Sequence, residues 1–292
     1  MKPNKIALGT AQFGMDYGIN NQRGKIPEKE VFEILYEALS SGIDTLDSAY
    51  AYGDSEAVIG NFIRESRKDF KIVSKSPKCE IKEMESIFDS SLKQLGINAF
   101  YGYLIHSFDH YRSYPEIWNK LERLKSKEKI EKIGFSLYYT SELDHILENN
   151  LNIDIIQVPY SIFDQRFAKY FQELKNKDVE LHVRSVFLQG LVFRNPGELD
   201  NYFTKIKDKL ENLNLLSIKQ NIPIVALCLN FAVLNSFVDK VVVGVDSLNN
   251  LKEIISSLKY HGDVQNIISK LSLFKEEDEN IILPFNWKVN RS

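Results

Sequence analysis

Short apolar runs alternate with amphipathic segments along most of this chain. The runs are five to seven residues long and cover residues 5–10, 43–47, 70–75, 101–106, 130–136, 153–158, 179–185 and 240–245. This length suits a buried strand and is far below the roughly 20 apolar residues that cross a bilayer as a helix. The pattern therefore predicts eight strands.

The segments between these runs have helical spacing. In residues 28–41, for example, Val31, Ile34 and Leu35 share one face, and Gly42 follows where a left-handed residue often ends a helix. Helices are predicted at 28–41, 55–64, 81–95, 116–127, 141–148, 167–176, 199–220 and 223–234, with one more after a capping Ser247.

Strands that alternate with helices imply parallel pairing, because each right-handed crossover returns the chain to the same end of the sheet. About eight such units in 292 residues fit an α/β fold of the closed (β/α)₈ TIM-barrel type, with residues 1–262 as a single domain. An open doubly wound sheet is the alternative, but the GxGxxG turn expected after its first strand is missing.

The remaining residues, 263–292, are predicted to form a C-terminal helix and tail that pack on the barrel. The tail holds a helical segment at 264–273, an acidic run at 276–279 and an apolar end with Phe285 and Trp287.

Composition excludes some partners without choosing a function. Hydrophobic residues make up 43% and charged residues 26%, which is ordinary for a globular protein, and the net charge is −3. The basic residues are scattered, so we expect no nucleic-acid partner, and no run suggests a membrane. Cys79 and Cys228 match no metal spacing, so no metal site is predicted. A disulfide between them is disfavoured because the sequence has no other secretory signal, so both are expected reduced. With no leader-like apolar run, a cytoplasmic monomer or weak homo-oligomer is expected.

Polar residues stand at the ends of successive predicted strands. In a barrel of this type the chemistry lies at the carboxyl ends of the strands, so these side chains are the candidates for a site. They are Asp47, Lys75, His106, Ser136, Gln157, Arg184 and Ser185, with Tyr52 five residues after Asp47.

Four of these residues occur in motifs that resemble one family. Asp47 and Tyr52 in Asp-Ser-Ala-Tyr-Ala-Tyr-Gly, Lys75 in Val-Ser-Lys-Ser and His106 in Tyr-Leu-Ile-His-Ser are similar to the Asp-Tyr-Lys-His tetrad of the aldo-keto reductases, in the same order. The resemblance runs from Ile6 to about Leu258. It implies reduction of an aldehyde or ketone, including a sugar-type carbonyl, to an alcohol by NAD(P)H.

The side-chain chemistry agrees with that implication. Tyr52 would be the general acid, and the ammonium of Lys75 would lower the pKa of its phenol from about 10. Asp47 would hold Lys75 charged and in place. His106 would donate a hydrogen bond that orients the carbonyl.

The resemblance also implies a set of cofactor contacts. Ser136 and Gln157 would hold the nicotinamide carboxamide, although Leu137 stands where many relatives carry asparagine. Arg184 replaces an aromatic residue that stacks on the ring in many relatives, and its guanidinium plane can also stack. The full expected set is Gly9, Thr10, Ser136, Gln157, Arg184, Ser185, Gln189, Gly190, Gly244, Asp246, Ser247 and Asn250.

The resemblance favours NADP(H), with NAD(H) as the alternative. The 2′-phosphate that distinguishes NADP(H) needs cations or several donors. The segment after the eighth strand instead offers Asp246, Ser247 and Asn250, with Lys252 nearby.

Other functions remain open at this stage. Lys75 as a Schiff-base nucleophile would make the barrel aldolase-like. A slow-turnover nicotinamide-sensing or interaction module would keep the barrel and the cofactor. For a small carbonyl substrate, the entrance is expected to be lined by residues 107–111 and 160–166.

Overall fold

The computed structural model describes residues 3–18, 21 and 23–288, so the first two residues of the predicted barrel domain and the last four of the predicted tail lie outside it. Eight parallel strands form a ring in chain order, and the first strand also pairs with the last. The strands are β1 (Ile6–Gly9), β2 (Thr45–Asp47), β3 (Lys71–Ser76), β4 (Phe100–Ile105), β5 (Ile130–Ser136), β6 (Ile155–Pro159), β7 (Glu180–Arg184) and β8 (Lys240–Gly244). The predicted (β/α)₈ barrel is confirmed.

Helices surround the strand ring and bury their apolar faces against it. The α-helices are Ala11–Gly14, Glu28–Ser40, Ser55–Ser66, Met84–Leu95, Phe108–Ser113, Glu116–Ser126, Thr140–Glu148, Phe171–Asn176, Thr204–Gln220, Ile224–Val233, Leu248–Ser257, His261–Gln265, Ile268–Ser272 and Glu279–Ile282.

Several predicted helices differ from the observed ones. Those predicted at 81–95 and 167–176 are α-helical only from Met84 and Phe171, after 3₁₀ turns at Ile81–Glu83 and Ala168–Tyr170. The segment predicted as a helix at 199–220 is helical only from Thr204, because Pro196–Glu198 and Asn201–Phe203 form 3₁₀ turns first. The predicted helix at 264–273 is broken near Ile267, whose φ of −120° and ψ of 12° are not helical.

The described part of the tail contacts the rim of the barrel. The Phe285 ring meets the Tyr138 ring edge-on with centroids 4.8 Å apart, and the Trp287 ring lies 5.0 Å from that of Phe203. Trp287 Nε1 also donates to the Ile281 carbonyl oxygen at 2.8 Å.

No single helix among residues 3–18, 21 and 23–288 has both the length and the apolar character needed to cross a membrane. The segments Asn201–Gln220 and Ile224–Val233 meet that test only as a pair, and the pair is bent by 96°.

An apolar layer crosses the middle of the barrel. Val73 on β3, Leu104 on β4 and Ile155 on β6 form a buried cluster separate from the large core between strands and helices. Because alternate residues of a strand face the same side, Val73 lies on the face of β3 that also carries Lys75. Polar side chains at the strand ends therefore rest on an apolar base.

A charged cluster lies near the amino ends of the strands. Glu180 accepts hydrogen bonds from Tyr101 at 2.6 Å and from Lys132, and its other oxygen is 2.7 Å from His182 Nε2. Burial disfavours the charge of Glu180, but the hydrogen bonds from His182, Lys132 and Tyr101 hold its pKa well below the usual range. The Glu180 carboxylate is therefore ionised and joins β4, β5 and β7 at this end of the barrel.

Gly134 tests how closely β5 and β6 approach. A Cβ built on Gly134 would lie 1.7 Å from the Ile155 carbonyl oxygen, so backbone must move. We expect Gly134→Ala to lower the free energy of unfolding by about 3 kcal/mol, measured by urea denaturation. In the control Gly262→Ala, the new Cβ meets nothing within 4 Å, so stability should be unchanged or higher. Equal stability of both variants would contradict the close approach.

Glu180→Gln tests the charged cluster. The change leaves Lys132 without its carboxylate, and we expect the free energy of unfolding at pH 7 to fall by about 2 kcal/mol. The fall is smaller than for a fully buried pair because the Lys132 ammonium keeps some contact with water. A lowered folded-state pKa stabilises the fold above the unfolded pKa of about 4.3, and this contribution is lost as pH falls below it. The difference in the free energy of unfolding between wild type and variant should therefore be constant above about pH 5 and become smaller below about pH 4.

The measurement is urea unfolding at a series of pH values, with Glu131→Gln as control. Glu131 is exposed on the same strand as Lys132, so Glu131→Gln should change the free energy of unfolding by less than about 0.5 kcal/mol. A gap that stays the same from pH 7 to pH 3.5 would refute the role given to the carboxylate.

Candidate active site

A buried ion pair joins the ends of β2 and β3. Lys75 Nζ lies 2.6 Å from Asp47 Oδ2 and 2.8 Å from the Ser48 carbonyl oxygen. The two side chains are only 1% and 4% exposed. Charges removed from water in this way are stable only when each is paired and hydrogen-bonded, and both are.

Two further strand ends contribute amide and hydroxyl groups to the pair. Gln157 Nε2 on β6 donates to Asp47 Oδ1 at 2.6 Å, and Ser136 Oγ on β5 donates to Gln157 Oε1 at 3.2 Å. Asp47 therefore accepts from both Lys75 and Gln157. Strand ends that are distant in sequence are fixed to one carboxylate.

Tyr52 lies on the loop after β2, and glycines fix the path of that loop. Tyr50 N donates to the Lys75 carbonyl oxygen at 3.3 Å, and Tyr52 N donates to that of Ala49 at 3.0 Å. Gly53 has a φ of +58°, and a Cβ on it would lie 2.3 Å from the Gly14 carbonyl oxygen. The loop can therefore pack this closely only because glycine is present.

Tyr52 and His106 approach each other above the ion pair. Their ring centroids are 6.2 Å apart and the rings are nearly perpendicular. Lys75 Nζ lies 5.4 Å from the centroid of the Tyr52 ring. The four residues predicted as a tetrad are thus brought together.

The electrostatics of Tyr52 differ from the prediction. Burial, followed by the Asp47 carboxylate, raises the pKa of the phenol well above its usual value, and Arg184 opposes this effect. The expectation that Lys75 lowers this pKa is not met, because its charge is balanced by Asp47 at 2.6 Å. Tyr52 therefore keeps its proton at neutral pH.

His106 is held in its neutral form. Burial, with the positive charges of Lys75 and Arg184, lowers the pKa of the imidazole to about 3. A neutral imidazole still has one N–H to donate. His106 can therefore polarise an oxygen without adding a charge.

These residues line a cavity of about 330 Å³ at the carboxyl ends of the strands. Most of the predicted cofactor residues also line it. They are Gly9, Thr10, Ser136, Gln157, Arg184, Ser185, Gln189, Gly190, Gly244, Asp246 and Asn250. Ser247 is the exception, since its hydroxyl accepts from Asn250 N to cap a helix and donates to Asp246 at 3.0 Å.

Arg184 extends sideways from the end of β7. Its Nη2 donates to the Leu137 carbonyl oxygen, just past β5, at 2.8 Å, and Nη1 donates to Ser185 Oγ at 3.3 Å. Its Cζ lies 4.1 Å from the centroid of the Tyr138 ring. The guanidinium therefore crosses over β6 toward the loop after β5.

The β8 side of the cavity carries acids. Asp246, Asn250 and Glu253 line it. Arg23 stands beside them and donates to the Asp246 carbonyl oxygen at 3.1 Å, but its charge is paired with Glu30 at 2.7 Å. Negative charge therefore prevails on this side.

Several lining residues were not predicted from sequence, including Gln12, Tyr17 and Tyr138. Tyr17 lies in the long loop after β1, and its hydroxyl accepts from Gln189 at 3.0 Å. Burial raises the pKa of Tyr17 to about 12. The aromatic residue in a Gly-rich loop was the available signal for Tyr17, whereas Tyr138 is identified only by the path of Arg184.

The predicted entrance segments 107–111 and 160–166 contribute no residue to the cavity, so that prediction was wrong. Phe108 and Tyr111 pack on Phe135 instead, and Tyr160 stacks on Phe231 with centroids 5.3 Å apart. Among the described positions, no group of three His, Cys, Asp or Glu residues could hold a metal ion.

Comparison with known proteins finds one family and several relatives that this chain resembles. A sequence model of the Aldo/keto reductase family matches residues 5–271. L-galactose dehydrogenase of Arabidopsis thaliana is 21% identical over 308 aligned residues, covering 97% of this chain and 94% of that protein. Aldo-keto reductase YhdN of Bacillus subtilis (strain 168) is 25% identical over 227 residues, covering 73% of this chain and 66% of that protein.

Solved structures show the same fold. The holo form of the aldo-keto reductase AKR11C1 from Bacillus halodurans has a TM-score of 0.75 and 21% identity, with 94% of each chain covered.

Proposed function

The chain belongs to the aldo/keto reductase family of oxidoreductases, and from this premise we propose that it reduces an aldehyde or ketone, such as a sugar-type carbonyl, to an alcohol with NAD(P)H. The observation that carries the proposal is the position of Tyr52 and His106 on the cavity wall above the Asp47–Lys75 pair. Their ring centroids lie 6.2 Å apart.

Tyr52 is the proton donor in this proposal. Reduction places negative charge on the carbonyl oxygen, which must receive a proton. The raised pKa keeps the phenol protonated at the start of the reaction. The neutral His106 donates its N–H to the same oxygen and stabilises the developing charge.

The Asp47–Lys75 pair positions Tyr52. The Ser48 carbonyl oxygen, one residue past Asp47, accepts from Lys75, so the ion pair anchors the start of the loop that carries Tyr52. The pair thus acts on the position of the proton donor.

The described residues fit a nicotinamide cofactor. Gly9 and Gly244 present backbone to the cavity, and Ser136 and Gln157 offer hydroxyl and amide groups at its base. We propose that Ser136 and Gln157 hold the carboxamide, with Gln189 and Gly190 beside the diphosphate. When bound, the reduced nicotinamide supplies the hydride that goes to the carbonyl carbon.

The charge around β8 bears on which nicotinamide is used. β4, which ends before His106, and β8 lie across the ring from one another. If the nicotinamide binds near His106, Asp246 and Glu253 would be the charged lining residues available to the adenosine half. Carboxylates suit the ribose hydroxyls of NAD(H) and repel a 2′-phosphate. Although the family resemblance favours NADP(H), these acids favour NAD(H).

The aldolase-like alternative is disfavoured by the bonds of Lys75. A Schiff-base nucleophile needs a free amine lone pair. Lys75 Nζ is instead held by two oxygen acceptors at 2.6 and 2.8 Å, one of them a carboxylate.

Tyr52→Phe tests the proposed proton donor. We expect wild type to oxidise NAD(P)H with members of a panel of aldehydes, ketones and keto-sugars, and kcat of the variant to fall about 10²- to 10⁴-fold. Tyr50→Phe is the matched control, since Tyr50 is exposed two residues away and should change kcat less than about twofold.

Two outcomes oppose this proposal. Equal rates for wild type and Tyr52→Phe would remove Tyr52 as the acid. Tight NAD(P)H binding without turnover of any carbonyl would favour the sensing module.

Asp246→Asn tests whether the acids near β8 favour NAD(H) over NADP(H). Fluorescence titration of wild type should show NADH binding at least as tightly as NADPH. The neutral variant should improve the affinity for NADPH relative to NADH by about tenfold, because like-charge repulsion is relieved. Asp263→Asn, an exposed acid outside the cavity, should leave the ratio unchanged. A wild type that prefers NADPH strongly would refute the assignment.

A further inference from the structure

Among the described residues that line the catalytic half of the cavity, Arg184 is the charged one without an ion-pair partner. The Glu142 carboxylate interacts with its charge only at longer range, because Glu142 accepts hydrogen bonds from the Tyr138 and Tyr139 N–H groups. The charged residues lining the cavity are Asp47, Lys75, Arg184, Asp246 and Glu253. Asp47 and Lys75 neutralise each other at 2.6 Å. Within residues 3–18, 21 and 23–288, no carboxylate forms an ion pair with Arg184.

The direction of Arg184 separates it from the β8 side. Its guanidinium donates to the Leu137 carbonyl oxygen at 2.8 Å and lies over Tyr138, both past β5. β5 lies beside β4, which leads into His106. The charge is therefore directed toward the carbonyl-binding residues and away from Asp246 and Glu253.

Protein contacts also fix the guanidinium in place. Its two described hydrogen bonds go to neutral oxygens, and the Tyr138 ring supports its face. The Tyr138 ring is itself contacted by Phe285 of the tail. A half-buried, prepositioned guanidinium with donors left after these bonds is suited to binding an oxyanion.

We propose that Arg184 binds an anionic group on the carbonyl substrate, so that the preferred substrate is an aldehyde or ketone bearing a carboxylate. This inference rests on the proposed reductase function. A phosphate on the substrate would offer the same oxyanion chemistry. Arg184 then determines specificity, while Tyr52 and His106 act on the carbonyl oxygen.

The experiment compares substrates that differ in charge. Pyruvate is paired with hydroxyacetone, glucuronate with glucose, and glyceraldehyde 3-phosphate with glyceraldehyde. For wild type we expect kcat/KM to be higher for the carboxylate member of a pair by about 10- to 100-fold, as for a charge-assisted hydrogen bond. A preference only for the phosphate member would overturn the carboxylate assignment.

Variants of Arg184 identify the group responsible. Arg184→Met should remove the preference by lowering kcat/KM for the anionic member alone. Arg184→Lys keeps the positive charge but lacks the planar guanidinium, so it should retain part of the preference for the anionic substrate. Arg112 is exposed, and Arg112→Met is the matched control that should leave kcat/KM unchanged for both substrates of each pair. An equal loss for charged and neutral members in Arg184→Met would assign Arg184 to the cofactor and overturn the proposal.

A binding measurement separates this inference from the reductase proposal. Oxamate, an unreactive analogue of pyruvate, is titrated by calorimetry into wild type and Arg184→Met, each saturated with oxidised cofactor. Weaker oxamate binding by the variant supports the oxyanion site even where no carbonyl is reduced. Equal affinity of the two proteins for oxamate, together with unchanged cofactor affinity, would refute it.

Discussion

The ion pair between Asp47 and Lys75 is the interaction on which the rest of the site depends. Removing both charges from water costs on the order of several kcal/mol per ion, and the cost is offset only by complete bonding. Here the Ser48 carbonyl oxygen and the Gln157 amide complete it at 2.8 and 2.6 Å. Because the partners come from β2, β3 and β6, the charges are satisfied only when the barrel is closed.

The same pair explains the protonation of the residues above it. A free ammonium near Tyr52 would lower the pKa of the phenol, but an ammonium bound to a carboxylate has a much weaker field. Burial therefore dominates, and Tyr52 remains a phenol while His106 remains a neutral imidazole. Both groups can thus donate a hydrogen bond to an oxygen in the cavity, as the proposed reduction of a carbonyl requires.

The sequence predicted the residues whose position follows from strand periodicity. Asp47, Lys75 and Gln157 end buried runs, and the carboxyl ends of parallel strands meet at one edge. Tyr138 and the packing of Tyr160 could not be predicted in this way. Their positions depend on contacts with Arg184 and Phe231, which are distant in sequence and set by loop conformation. The pKa of Tyr52 was mispredicted because burial outweighs the charge of Lys75, which Asp47 balances at 2.6 Å, and the motif does not encode how deeply Tyr52 is buried.

The charges of the barrel interior are separated into layers, and this separation gives Arg184 its significance. On β7, Glu180, His182 and Arg184 occupy alternate positions and face the same side. Glu180 is balanced by Lys132 near one end, and the Asp47–Lys75 pair is balanced near the other. Val73, Leu104 and Ile155 lie between as an apolar layer. The Asp47 carboxylate is paired with Lys75, and Glu142, which interacts with Arg184 at longer range, accepts from the Tyr138 and Tyr139 N–H groups. The counterion proposed for Arg184 is therefore one that enters with the substrate.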